Sequence, residues 1–96
     1  MPSEALMMRK RIVVRGRVQG VGFRYAAVNQ ARRLGLNGWA RNAHDGSVEI
    51  VAEGPAADLD AFVAWCHQGP PAAHVTSVEH AEEPHDQPLG QFGVKW

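Results

Sequence analysis

The hydrophobic pattern of this chain switches from period two to a period near 3.6 and back, twice over. That double switch constrains the fold more than any other feature. From Met8 onward, Lys10, Ile12 and Val14 fall on one side, with Arg9, Arg11, Val13 and Arg15 on the other. This is a strand with one apolar and one largely basic face. Gly16, Gly20 and Gly22 then break regular structure. Phe23, Ala27, Ala31 and Leu34 recur at helical spacing, which predicts a helix over Arg24–Leu34 stopped by Gly35. Two short strands fit residues 37–44 and 46–53, with Asp45-Gly46 between them as the turn. Leu59, Phe62, Val63 and Cys66 form the stripe of a second helix, and Asp58 and Asp60 suit its positive end. Gly69-Pro70-Pro71 stops that helix. Residues 74–81 alternate again, 82–90 read as a loop, and Phe92, Val94 and Trp96 share a face near the end.

The order is strand, helix, strand, strand, helix, strand, with room for a short terminal strand. This predicts an α+β fold, the ferredoxin-like α/β sandwich (βαββαβ), an antiparallel sheet with two helices on one face. The chain has 96 residues, enough for one domain and too few for two. It is 45% hydrophobic and 21% charged, so it can bury a core rather than stay disordered. Residues 1–7 show no period and read as a tail, with a single domain over 8–96. A lone cysteine, Cys66, excludes an internal disulfide and a multi-cysteine zinc site. No apolar run approaches a membrane span, and Met1 to Met7 lack the pattern of a signal peptide. No membrane association and a reducing, cytoplasmic setting are expected.

Ten basic and ten acidic residues balance, but not along the chain. Residues 1–41 hold nine Lys/Arg against Glu4 alone, and residues 42–96 hold nine acids against Lys95 alone. Either the basic part serves an anion site or a nucleic-acid face, or complementary surfaces meet within the fold.

The segment Gly16-Arg17-Val18-Gln19-Gly20-Val21-Gly22-Phe23-Arg24 joins the first strand to the first helix. Glycines there let successive backbone N–H groups turn into one concavity, and the helix N-terminus adds partial positive charge. The segment lacks the Gly-Lys-Ser/Thr ending of a P-loop, and Tyr25 stands where a dinucleotide fingerprint needs a third glycine. Arg24, at the first helical position, could clamp a phosphate bidentately beside that nest.

Gly16 to Arg24 resembles the signature of the acylphosphatases, small enzymes that hydrolyse the carboxyl–phosphate bond of acyl phosphates. A second block of that family's pattern stands at Gly38-Trp39-Ala40-Arg41-Asn42, followed by Asp45-Gly46-Ser47-Val48-Glu49 and Glu53-Gly54. The resemblance spans Met8 to Trp96 and carries the same ferredoxin-like fold. It implies that the backbone amides of Gln19, Gly20, Val21, Gly22, Phe23 and Arg24 cradle the phosphoryl group. It further implies that Arg24 binds phosphate and that Asn42 positions the attacking water. The substrate would be a small acyl phosphate, with inorganic phosphate or sulfate as competing anions and a monomer as the family default. Ala43 follows Asn42 where relatives often have a hydroxyl or larger residue. Gly22 replaces the cysteine that some relatives carry.

No cluster of carboxylates, histidines or thiolates has the spacing of a metal site, so neither cofactor nor metal is expected. His44 and Asp45 read as turn residues, and His67, His74, His80 and His85 as surface or edge residues. Trp39, Trp65 and Cys66 read as packing. Two other functions share this element order. One is an RNA-binding module, which wants aromatics on its central strands; Ser47 to Glu53 has none. The other is a non-catalytic domain binding phosphate or another small ligand.

Overall fold

The computed structural model describes residues 7–84 and 87–96. Of the expected tail, only Met7 falls within them, and it is already part of a strand; His85 also lies outside the described residues. The elements are β1 (Met7–Arg17), α1 (Phe23–Arg33), β2 (Asn37–Asn42), β3 (Val48–Pro55), α2 (Ala56–Gln68), β4 (His74–Glu82) and β5 (Gly93–Val94). The sheet order is β4-β1-β3-β2-β5. This is the ferredoxin-like arrangement, with one difference from the expected antiparallel sheet. Strands β1 to β4 pair antiparallel, but β5 runs parallel to β2. The reason is geometric. Glu82, near the end of β4, pairs with Lys10, and Asn37, the start of β2, pairs with Glu53 beside Arg9. Both lie at the same end of the sheet. A connection crossing there can enter β5 only in the direction of β2, and the bridge Asn37↔Gln91 marks that entry.

Inward-facing residues on the strands explain where the helices lie. Ile12, Val14, Ala40, Val48, Ile50 and Ala52 are buried on one face of the sheet. Phe23, Ala27 and Ala31 of α1 and Leu59, Phe62 and Cys66 of α2 close over them in a single core. Phe92, just before β5, joins this core edge-on to Phe62, with ring centroids 5.9 Å apart. Burial pushes the Cys66 thiol up to about 12, so it packs as an inert apolar side chain.

The other face holds the charge that the sequence splits in two. Arg9 reaches Glu53 directly across β1 and β3 at 2.8 Å. Arg11 pairs with Glu49 and, at 3.0 Å, with Glu83; Arg41 meets Glu49 from β2 at 2.6 Å. Arg15 pairs with Asp45 at 3.0 Å. The basic first strand is thus matched by acids from β3, from the β2–β3 turn and from Glu83 just past β4, so complementary surfaces do meet within the fold.

The β2–β3 turn differs from a two-residue Asp-Gly hairpin. The Ala43 carbonyl accepts from the Gly46 N–H at 3.2 Å, and the Ala43 N–H donates to the Ser47 carbonyl at 2.9 Å. Within the turn only Gly46 has positive φ, at 91°; His44 and Asp45 do not. His44 and Asp45 therefore fill the middle of a type I turn, and Gly46 closes it in the left-handed region. Each strand loses two residues to this wider turn.

Candidate active site

β1, β2 and β5 all run toward one end of the sheet, where β3 starts. The loop after β1, the end of β2 and Trp96 beyond β5 gather there. The β1–α1 loop owes its shape to backbone torsions. Gly20 and Gly22 take φ values of 74° and 81°, and a Cβ at either position would meet nothing within 4 Å. Space does not demand glycine here; the left-handed conformation does. Gly22 then serves as the N-cap of α1 without any capping side chain, and no acidic residue occupies the first turn. The N-terminal amides of α1 thus keep their positive character for an external partner.

Arg24 sits in the first turn of α1, half-buried. The ion pairs of the described residues engage Arg9, Lys10, Arg11, Arg15 and Arg41, and none engages Arg24. Its guanidinium instead lies over the Trp96 ring at 4.5 Å and 6.0 Å from the Tyr25 centroid. Stacking fixes the plane of the fork while leaving its N–H edges for an anion. Sequence periodicity placed Trp96 on the face of Phe92 and Val94. The structure corrects this: Phe92 is buried in the core, whereas Trp96 is 83% exposed beside Arg24. The pairing with β2 is only two residues long, so strand alternation does not extend to Trp96.

Asn42 ends β2. Its Oδ1 is buried and has no hydrogen-bond partner among the described residues. A buried amide oxygen needs a hydrogen-bond donor, and none of the described residues supplies one here. Gln19 ties this strand end to the loop. Its Nε2 donates to the carbonyls of Ala43, at 2.8 Å, and Ser47, at 2.9 Å. Sequence reasoning counted Gln19 only for its backbone amide and missed this stitch. Its one signal was a long amide side chain among glycines. Asp45 holds the far side of the turn by accepting from the Ser47 Oγ at 2.6 Å and the Ser47 N–H at 3.0 Å. Those two bonds, with the Arg15 guanidinium, hold the Asp45 carboxyl well below the usual carboxylate range. His44 is exposed at the turn and makes neither contact. No three His, Cys, Asp or Glu residues among those described converge as a metal site.

The acylphosphatase family model matches residues 10–94, which includes every one of these groups except Trp96. The chain belongs to the acylphosphatase family. It is 50% identical over 91 residues to an acylphosphatase of Anaeromyxobacter sp. (strain Fw109-5), covering 95% of this chain and 98% of that one. Its fold superposes on the crystal structure of acylphosphatase from Bacillus subtilis with a TM-score of 0.89 at 40% identity, covering 95% of this chain and all 100% of the other. An acylphosphatase from Coxiella burnetii gives 0.88 at 34% identity, with 93% of both chains covered. The chain is accordingly a hydrolase that acts on acyl phosphates, an enzyme of the acid-anhydride class. Acylphosphatase chemistry asks for an anion cradle and a placed water, and the loop, Arg24 and Asn42 are brought to the same end of the sheet.

Proposed function

We propose that this acylphosphatase holds the phosphoryl group of its substrate with Arg24 and the backbone amides of residues 19–24, while Asn42 orients the attacking water. One observation carries this reading. The cation at the mouth of a glycine-shaped, uncapped helix N-terminus has no carboxylate partner among the described residues, and an unpaired buried amide oxygen ends the adjoining strand.

The chemistry needs little else. The leaving group is a carboxylate whose conjugate acid has a pKa near ~4, so it departs with the bonding pair unprotonated and needs no general acid. The water donates one O–H to Asn42 Oδ1, which aims its lone pair at phosphorus opposite the departing oxygen. A neutral amide does this without repelling the dianion. As the P–O bond to the acyl group breaks and the new P–O bond forms, negative charge spreads over the equatorial oxygens. The amides and Arg24 stabilise that charge. The proton lost by the water passes to a phosphate oxygen, giving inorganic phosphate and a carboxylate without a histidine or carboxylate base.

The same reading makes the enzyme a cytoplasmic monomer that works on small acyl phosphates without metal, competitively inhibited by inorganic phosphate and sulfate. Its working unit is one domain over residues 8–96, with β1 reaching back to Met7. An RNA-binding role is disfavoured, because the open face of β1 and β3 is filled by Arg9–Glu53 and Arg11–Glu49 pairs rather than by aromatics.

The test is phosphate release from benzoyl phosphate in the presence of EDTA. Steady turnover with competitive inhibition by inorganic phosphate is expected. Loss of turnover on chelation, restored by Mg²⁺ or Zn²⁺, would overturn the metal-free mechanism. Phosphate binding without turnover would favour a non-catalytic binding domain.

A further inference from the structure

Only three large apolar side chains are strongly exposed among the described residues, and two of them flank Arg24. Trp96 is 83% exposed and Tyr25 54%, with their rings 6.3 Å apart. Neither supports the core, and exposed aromatics concentrated at one place mark a binding surface more than a packing one. Beyond them lies a cleft of ≈ 360 Å³ between α1 and β5. Its helix wall is Tyr25, Val28, Asn29 and Arg32, one face of α1 at helical spacing, and its opposite wall includes Val94 of β5 and Trp96 just past it. That volume lies within the ~300–1,000 Å³ range of small-ligand pockets. Arg32 is held at the far end by donating its Nε to the Phe92 carbonyl at 2.9 Å.

Trp96 is common to the cleft and to the surroundings of Arg24. The Trp96 ring both lines the cleft and covers the Arg24 guanidinium. A phosphoryl group held by Arg24 must send its acyl oxygen away from the water that Asn42 aims. The aromatic pair beside Arg24 offers that acyl group an apolar wall leading to the cleft. We infer that the α1–β5 cleft is the acyl-group subsite, and that Tyr25 and Trp96 make the enzyme prefer flat, apolar acyl groups over short aliphatic ones. This rests on the placement of the phosphoryl group proposed above.

The experiment compares kcat/KM for benzoyl and acetyl phosphate in the wild type, Trp96→Ala, Trp96→Phe and Tyr25→Ala, with inorganic phosphate as a competitive inhibitor throughout. Dividing the two values removes the intrinsic reactivity of each leaving group from the comparison between variants. Because both rings are exposed, thermal melting should be unchanged, which separates loss of fold from loss of contact. Trp96→Ala should lower the benzoyl-to-acetyl ratio about tenfold, as for one lost aromatic contact, and Tyr25→Ala several-fold. Trp96→Phe should keep most of the ratio. If both substrates and the phosphate inhibition constant suffer equally in Trp96→Ala, the tryptophan only steadies Arg24 and the subsite is wrong. An unchanged ratio in all three variants also overturns it. Unchanged turnover and phosphate inhibition in Arg24→Ala would instead sink the underlying placement of the phosphoryl group.

Discussion

The side-chain amide of Gln19 lies 2.8 Å from the carbonyl oxygen of Ala43, the residue directly after Asn42. The loop proposed to hold phosphate and the strand end proposed to hold water are therefore joined by one side chain. Removing it should hurt catalysis more than folding. Gln19→Ala should cost about 1 kcal/mol, since both carbonyls keep a backbone donor. Turnover should fall by roughly tenfold or more as the two halves drift out of register. Urea unfolding and steady-state kinetics on the same preparation check this, and full turnover in the variant would contradict it.

Arg24→Ala should leave a folded protein with turnover reduced on the order of 10³-fold and weakened phosphate binding. Arg24→Lys should recover little. An ammonium supplies charge but neither the planar fork nor the flat face that meets Trp96 at 4.5 Å. Near-normal activity in the lysine variant would argue against bidentate clamping.

Asn42→Ala should separate water placement from anion binding. The expected result is a loss of about 10²-fold in turnover with the inorganic phosphate inhibition constant little changed. Asn42→Asp should do no better, because a carboxylate repels the substrate dianion. A purely structural role would show as lower stability with normal turnover per folded molecule. The unpaired Oδ1 argues against such a role, since it anchors nothing in the turn.

Asp45 gives a pH signature to the turn. Its carboxyl is held below the ordinary range first by the Ser47 hydroxyl, then by the Ser47 N–H and Arg15. A depressed acid stabilises the fold above the unfolded pKa and loses that contribution as pH falls through the folded one. Asp45→Asn should therefore be less stable than the wild type at neutral pH. The gap should begin to close below about pH 4, the ordinary aspartate range. Thermal melts of both proteins across that window decide it; a gap independent of pH would exclude the carboxylate as the cause.

Much of this was legible in residue pattern. The stripe Leu59, Phe62, Val63, Cys66 and the alternation through Ile12 and Val14 are local signals, and both became core. The double motif carried the family, the activity and the candidate residues. Periodicity failed where the controlling contact is distant. The direction of β5 depends on which end of the sheet β4 reaches, and no local spacing encodes that. The place of Trp96 depends on Arg24 across the fold, beyond a strand too short to set its own alternation. The turn widened because Asp45 bonds Ser47 rather than taking positive φ itself, a choice between two common solutions for the same residues.

Strand β1 lies between β3 and β4, and its partner β4 is the penultimate strand in the chain. A ribosome therefore delivers the loop proposed to hold phosphate long before the last strands that complete the sheet around it. With β1 unpaired on one side until Glu82 has emerged, the early half can only sample this geometry. Catalytic competence should arrive late and all at once. A chain truncated before β4 should therefore show no acyl phosphate hydrolysis.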